Sequence, residues 1–142
     1  MLKSLIRSAE VAQEKFTAIK FNIIVTDTNS SKEDIAIMKQ LLSNTKIESR
    51  LSLIDLKSFE NKIKPGYSKA KFSTMANFYN SLLIAKNKEA DLIYFVEDDY
   101  IHSVGSITEM IFSYEKFSTI FDDDLVLLPS DYPYLYTKDE ST

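Results

Sequence analysis

An α/β fold with a mostly parallel sheet is what this 142-residue chain predicts. Two observations carry that prediction. Short apolar runs rich in strand-forming residues alternate with amphipathic stretches of helical period, the mark of repeated βα units. One run, Leu92–Val96, is apolar at every position, as in strands buried on both faces. The glycine count, only Gly66 and Gly105, then limits what such a fold can bind. A dinucleotide fingerprint or a Walker loop needs several glycines for close backbone approach to phosphate, so neither motif is present.

The elements follow in order. Leu2, Leu5, Ile6, Ala9, Val11, Ala12 and Phe16 recur at mostly helical spacing and predict an opening amphipathic helix. "FNIIVTD" (21–27) is a β-rich run closed by Asp27. "SSKEDIAIMKQLLSN" begins with Ser30 or Ser31 as N-cap, has acids in its first turn, and carries an apolar stripe of Ile35, Met38, Leu41 and Leu42. "ESRLSLIDL" (48–56) reads as a strand. Residues 57–71 hold a Pro-Gly turn signal and five lysines and are expected to be loop. A helix over 72–88 follows, its Met75, Phe78, Leu82 and Leu83 expected in the core. Then come a strand at 92–96, a helix over 103–118 and a last strand at 124–129. The chain reads as one domain, with a polar, tyrosine-rich and loosely held tail from Ser130. It looks like part of a larger α/β domain.

Composition narrows the function. The chain is 44% hydrophobic and 27% charged, with a net charge of −4. That balance argues against a dedicated nucleic-acid binder, which carries a basic excess. The absence of cysteine excludes disulfides, thiolate metal sites and a cysteine nucleophile, and the single histidine, His102, excludes a two-imidazole site. No run approaches the roughly 18–20 apolar residues of a membrane span, and no signal-peptide core opens the chain. A cytoplasmic, reducing setting is the default expectation.

The chemistry is expected where the strands end. In open α/β sheets, ligands bind outside the carboxyl ends of the strands. The 92–96 run delivers Glu97, Asp98 and Asp99 to that edge, and the 21–26 run delivers Asp27. Burying an unpaired carboxylate costs several kcal/mol, so adjacent acids need solvent, cations or a metal. Alternate residues of an extended chain point the same way, which lets Glu97 and Asp99 flank one point while Asp98 faces away. An oxygen-only site with few protein ligands suits Mg²⁺ or Mn²⁺, above all when the ligand itself carries phosphates. The competing reading makes "EDD" a solvated loop and helix N-terminus, where acids meet the positive end of the helix dipole. Asp122, Asp123 and Asp124, which have no apolar lead-in, are expected to be a solvated turn.

Taken together, these residues resemble the GT-A fold glycosyltransferases, particularly the large family-2 type. "IIVTDTNSSKEDI" stands where that family has a strand ending in Asp-Asp-Gly-Ser-Thr-Asp. "ADLIYFVEDDYIHSVGSITEMI" stands where it has a strand ending in a D-x-D motif, here in a Glu-Asp-Asp form. The match spans roughly residues 3–128. It implies a Rossmann-like, mostly parallel sheet flanked by helices and limited to the nucleotide-sugar half. The implied activity is metal-assisted transfer of a sugar from a nucleoside-diphosphate donor to an unknown acceptor: a saccharide, lipid or protein. By this resemblance Asp27 contacts the base or ribose, Asp99 binds Mn²⁺ or Mg²⁺, and Glu97 or Asp98 reaches the donor ribose or sugar. Glu97 occupies the first position of the D-x-D motif, which makes it a candidate second metal ligand. Lys64 and Lys69 add phosphate contacts, or belong to a solvated loop.

His102, three residues past Asp99, is either a further metal ligand or a hydrogen-bonded loop residue. Asp131 is the one acid near the right edge for a catalytic base, and bulk polar loop is its rival reading. Tyr132, Tyr134 and Tyr136 would stack on a sugar or cover the sheet edge.

Departures from the family pattern are part of the expectation. "DTNSS" replaces "DDGST", so the second acid and the glycine are missing. The family's first strand, normally central in the sheet, and its acceptor half have no counterpart. The chain therefore reads as truncated at both ends and inactive by itself, with exposed sheet edges able to pair with another copy. The alternatives are a non-catalytic α/β fragment or interaction domain with an acidic pocket, and a nucleotidyltransferase. The last lacks the expected glycine-rich loop and following basic residue.

Overall fold

A computed structural model of the chain describes residues 1–128. It is α/β, with helix α1 (Leu2–Lys15), strand β1 (Asn22–Asp27), helix α2 (Lys32–Ser43), strand β2 (Glu48–Leu53), a 3₁₀ turn (Leu56–Phe59), helix α3 (Lys69–Lys86) and helix α4 (Ser106–Phe121). Strands β1 and β2 pair in parallel, with Asn22 opposite Glu48 and Asp27 opposite Leu53. A parallel pair needs a crossover, and α2 supplies it.

Each of these elements has a local cause. Ser31 caps α2, its hydroxyl accepting from the Asp34 amide at 3.1 Å and donating to the Asp34 carboxylate at 2.8 Å. Ser68 caps α3 in the same way. Gln13 stitches α1 to the start of β1, donating to the Ile19 carbonyl at 2.8 Å and accepting from the Phe21 amide at 3.3 Å. Helix α4 ends at Asp122 in the left-handed conformation, φ 51°, which aspartate tolerates better than most residues. The Asp124 carboxylate accepts from the Tyr114 hydroxyl at 3.0 Å, so residues 122–124 form the expected exposed turn.

The core is small and split. On one face of the sheet, Ile6 and Ala9 of α1 pack with Ile23, Leu42 and Ile47, and Ile107 of α4 joins from the side. On the far side of the β2 exit, Phe59, Ile63 and Ala76 form a second cluster with Ile54, Leu56 and Phe72 around it. Helix α4 packs against α1, where Phe16 and Phe112 meet with ring centroids 5.0 Å apart.

The structure corrects three expectations. The strands expected at 92–96 and 124–129 are not formed within the described residues; neither 92–96 nor 124–128 pairs with β1 or β2. A strand is defined by its neighbour. With only β1 and β2 in the sheet among the described residues, the 92–97 backbone has no ladder to join. The loop expected over 57–71 contains the 3₁₀ turn, and α3 begins at Lys69, because Ser68 starts the helix ahead of the apolar stripe. Finally, Met75, Phe78 and Leu82 are exposed, while Ser73 and Ala76 are the buried residues of α3. Apolar periodicity marks a face that can be covered, and no strand lies opposite this one to cover it.

Candidate functional site

The carboxyl end of β1 is where the polar side chains concentrate. Asp27 closes the strand, and its carboxylate turns back to accept from both the amide and the hydroxyl of Ser30, the amide at 3.2 Å. This is an Asx-type turn leading into the Ser31 cap, so the residues that depart from the family pattern have a local role. The Asp27 carbonyl accepts from the Ile54 amide at 2.8 Å, which fixes the edge against β2.

Beside it runs a seam of hydroxyl and amide groups between β1 and α3. Thr26 and Ser81 hydroxyls lie 3.1 Å apart, and those of Thr28 and Ser73 lie 2.6 Å apart. Asn29 donates to the Ser73 hydroxyl at 2.8 Å, and Asn77 donates to the Thr26 carbonyl at 3.5 Å. The side-chain oxygen of Asn77 and the side-chain nitrogen of Asn80 are buried without partners. Sequence reading missed the serines. The signal was present: Ser73, Asn77 and Ser81 recur every four residues, one polar stripe along α3.

The acidic run occupies a turn. Glu97, Asp98 and Asp99 are exposed at the end of the unpaired 92–97 segment. Among the described residues, no three His, Asp or Glu side chains gather closely enough to hold a metal ion, so Asp27, His102 and these acids do not form one cluster. Exposed, closely spaced acids still match the chemistry of Mg²⁺ or Mn²⁺, which keep several waters and take only one or two carboxylates when phosphate supplies the rest. Glu97 and Asp99 thus fit a metal shared with a diphosphate and do not fit a cage built by the protein.

His102 is held from two sides. Its amide donates to the Ser4 hydroxyl of α1 at 3.1 Å, and its Nε2 lies 3.0 Å from the Tyr94 hydroxyl, with the two rings edge to face. Burial, with a smaller contribution from the N-terminal ammonium, holds the imidazole below its ordinary pKa; burial alone pushes the Tyr94 phenol up. The Nδ1 atom is buried without a partner. A shallow, open groove of about 460 Å³ passes this point, lined by Tyr94, Ile101, His102, Glu109, Met110 and Leu128 among others.

The basic residues stand apart. Lys64 lies in the turn before Gly66 and Lys69 opens α3; both are exposed, and neither forms an ion pair with a described residue. Asp131, Tyr132, Tyr134 and Tyr136, like the tail from Ser130, lie outside the described residues. No helix among the described residues is long and apolar enough to cross a membrane. No protein-family model, curated protein or solved structure matches this chain.

Proposed function

We propose that this chain carries the donor side of a metal-assisted glycosyltransferase, binding a nucleoside-diphosphate sugar at the carboxyl edge of its sheet. One observation carries the reading: Asp27 stands at the carboxyl end of a parallel strand, where open α/β sheets bind ligands. Asp27 would accept hydrogen bonds from the ribose or base with the lone pairs that Ser30 leaves free. Glu97 and Asp99 would hold Mn²⁺ or Mg²⁺, with Asp98 toward the donor ribose or sugar. When bound, the metal neutralises charge on the departing diphosphate. In the whole reaction, the bond from the anomeric carbon to phosphate oxygen breaks, an acceptor hydroxyl bonds to that carbon, and its proton leaves to a base. Lys64 and Lys69 would meet phosphate only by side-chain reordering.

Thermal unfolding tests this reading, run with Mn²⁺ or Mg²⁺ and a panel of nucleoside diphosphates on the wild type and on Asp99→Ala. Ligand at about 100 times its dissociation constant adds roughly 2.7 kcal/mol, or about 9 °C for a domain of this size. A metal-dependent shift that Asp99→Ala abolishes supports the donor site. A cooperative melt that no nucleotide moves refutes it.

A second reading has an observation of its own. The acids are exposed with no third ligand near them among the described residues, as in a non-catalytic interaction domain whose acidic turn meets a basic partner. The same experiment separates the two, because that domain would ignore nucleotide.

A further inference from the structure

Helix α3 turns a polar side to the sheet and an apolar side to solvent. Ser73, Asn77 and Ser81 meet β1 and the residues after it in the seam with Thr26, Thr28 and Asn29. Met75, Phe78, Tyr79 and Leu82 are exposed, Phe78 at 56% and Leu82 at 43%. Their spacing of three and four residues places them in one stripe along the outer face. The seam fixes this orientation, because turning the stripe inward would strip those hydroxyl and amide groups of their partners.

Charge around the stripe is equally one-sided. Residues 61–88 hold six lysines (Lys62, Lys64, Lys69, Lys71, Lys86 and Lys88) and no acid, although the chain has 21 acids and a net charge of −4. None of the six forms an ion pair with a described residue. Lys71 and Lys86 stand one turn beyond either end of the stripe and on the same face, since 71, 75, 79, 82 and 86 follow one another at three or four residues. Lys62 joins from the side: its ammonium lies over the Phe59 ring, 5.1 Å from the centroid, and Phe59 in turn meets Tyr79 edge to face. The Lys71 ammonium lies 4.6 Å from the centroid of Tyr67, a further exposed aromatic ring.

We propose that α3 docks flat on a membrane surface that contains anionic phospholipid, with the stripe in the headgroup–acyl boundary and the lysines against phosphate. Such a surface offers an apolar layer beneath a layer of negative charge, the combination that matches an apolar stripe bracketed by cations. The long lysine stems let each ammonium reach phosphate while the ring and aliphatic side chains sink below it. A segment of protein laid over the stripe would answer its apolar residues and leave the bracketing lysines without counter-charge. No helix among the described residues is long and apolar enough to cross a membrane, so this is attachment to one face. It does not rest on the donor-site reading.

Vesicle flotation tests this, with vesicles of phosphatidylcholine alone or mixed with phosphatidylserine, on the wild type, Lys71→Gln/Lys86→Gln and Phe78→Ser/Leu82→Ser. All four positions are exposed, so both variants should keep the wild-type circular dichroism and melting temperature. The wild type should float with the anionic vesicles, stay behind with the neutral ones, and be released from the former by high salt. The lysine variant should weaken binding about 30-fold, the weight of two lysines at an anionic surface, and the serine variant at least about 10-fold. A wild type that ignores anionic vesicles overturns the proposal, and points to a protein partner or further chain as the cover of the stripe. Equal flotation with neutral vesicles overturns it too, as do folded variants that float like the wild type.

Discussion

Ser8 offers a sharp test of how this small fold is held. It lies on α1, is fully buried, and its hydroxyl accepts from the Ile107 amide at 3.1 Å across 99 residues of sequence. Helix α4 starts at Ser106 after Gly105, which has no side chain to cap it. The first amides of a helix have no intrahelical acceptor, so Ser8 serves as a cap supplied by a different helix. Ser4, one turn earlier, accepts from the His102 amide in the segment leading to α4.

Replacing Ser8 with alanine removes the acceptor and leaves a buried N–H group unsatisfied. Loss of a cap costs about 0.5–2 kcal/mol, and an orphaned buried donor costs about 1–3 kcal/mol. The two figures describe one event, so about 1.5 kcal/mol is the expectation. With an unfolding entropy near 2.1 cal/mol/K per residue, that lowers Tm by roughly 5 °C. The assay is thermal and urea unfolding of Ser8→Ala beside Ser106→Ala, which removes a hydroxyl pair with Ser103 on an exposed turn. Hydrogen exchange at the α4 N-terminus should rise in Ser8→Ala alone. Equal stability of Ser8→Ala and wild type, with Ile107 still protected, would refute the account of α4 as anchored by α1.

Other outcomes follow from the same contacts. Phe59 is buried against Ile63 and Ala76 and meets Tyr79 edge to face at 5.8 Å; Phe59→Ala should cost about 3 kcal/mol in urea unfolding. Gly66 has φ +97°, with open space where a side chain would begin; Gly66→Ala should cost about 1 kcal/mol through backbone strain alone. Because His102 is held below its ordinary pKa, the unfolded chain binds the proton more readily. Stability should be complete above the unfolded value near 6.5 and fall as pH drops below it toward the folded value. His102→Gln should flatten that slope in pH-dependent unfolding. The Lys20–Glu48 pair, 2.8 Å long and exposed at both ends, should be dispensable: Lys20→Met should leave Tm unchanged.

The sequence by itself determined the local elements. Helical period, serine caps and acidic first turns predict α1, α2 and α4 to within a few residues, because caps and periodicity act over a single turn. The parallel pairing of the first two strands was equally legible, since a helix between two short strands allows little else. At the site, the chain order put Asp27 at a strand end, and that is where it stands.

Tertiary structure decided everything that depends on a neighbour. Leu92–Val96 has strand composition, yet it is unpaired among the described residues, because composition sets the willingness to pair and only a second backbone supplies the ladder. Met75, Phe78 and Leu82 have helical period for the same reason that a core stripe does, and remain exposed because no strand lies opposite. The polar seam between β1 and α3, the Ser8 cap of α4 and the separation of Asp27 from the acidic turn arise between residues far apart in sequence. A period or a motif encodes the face a residue would present; what meets that face is a property of the assembled chain.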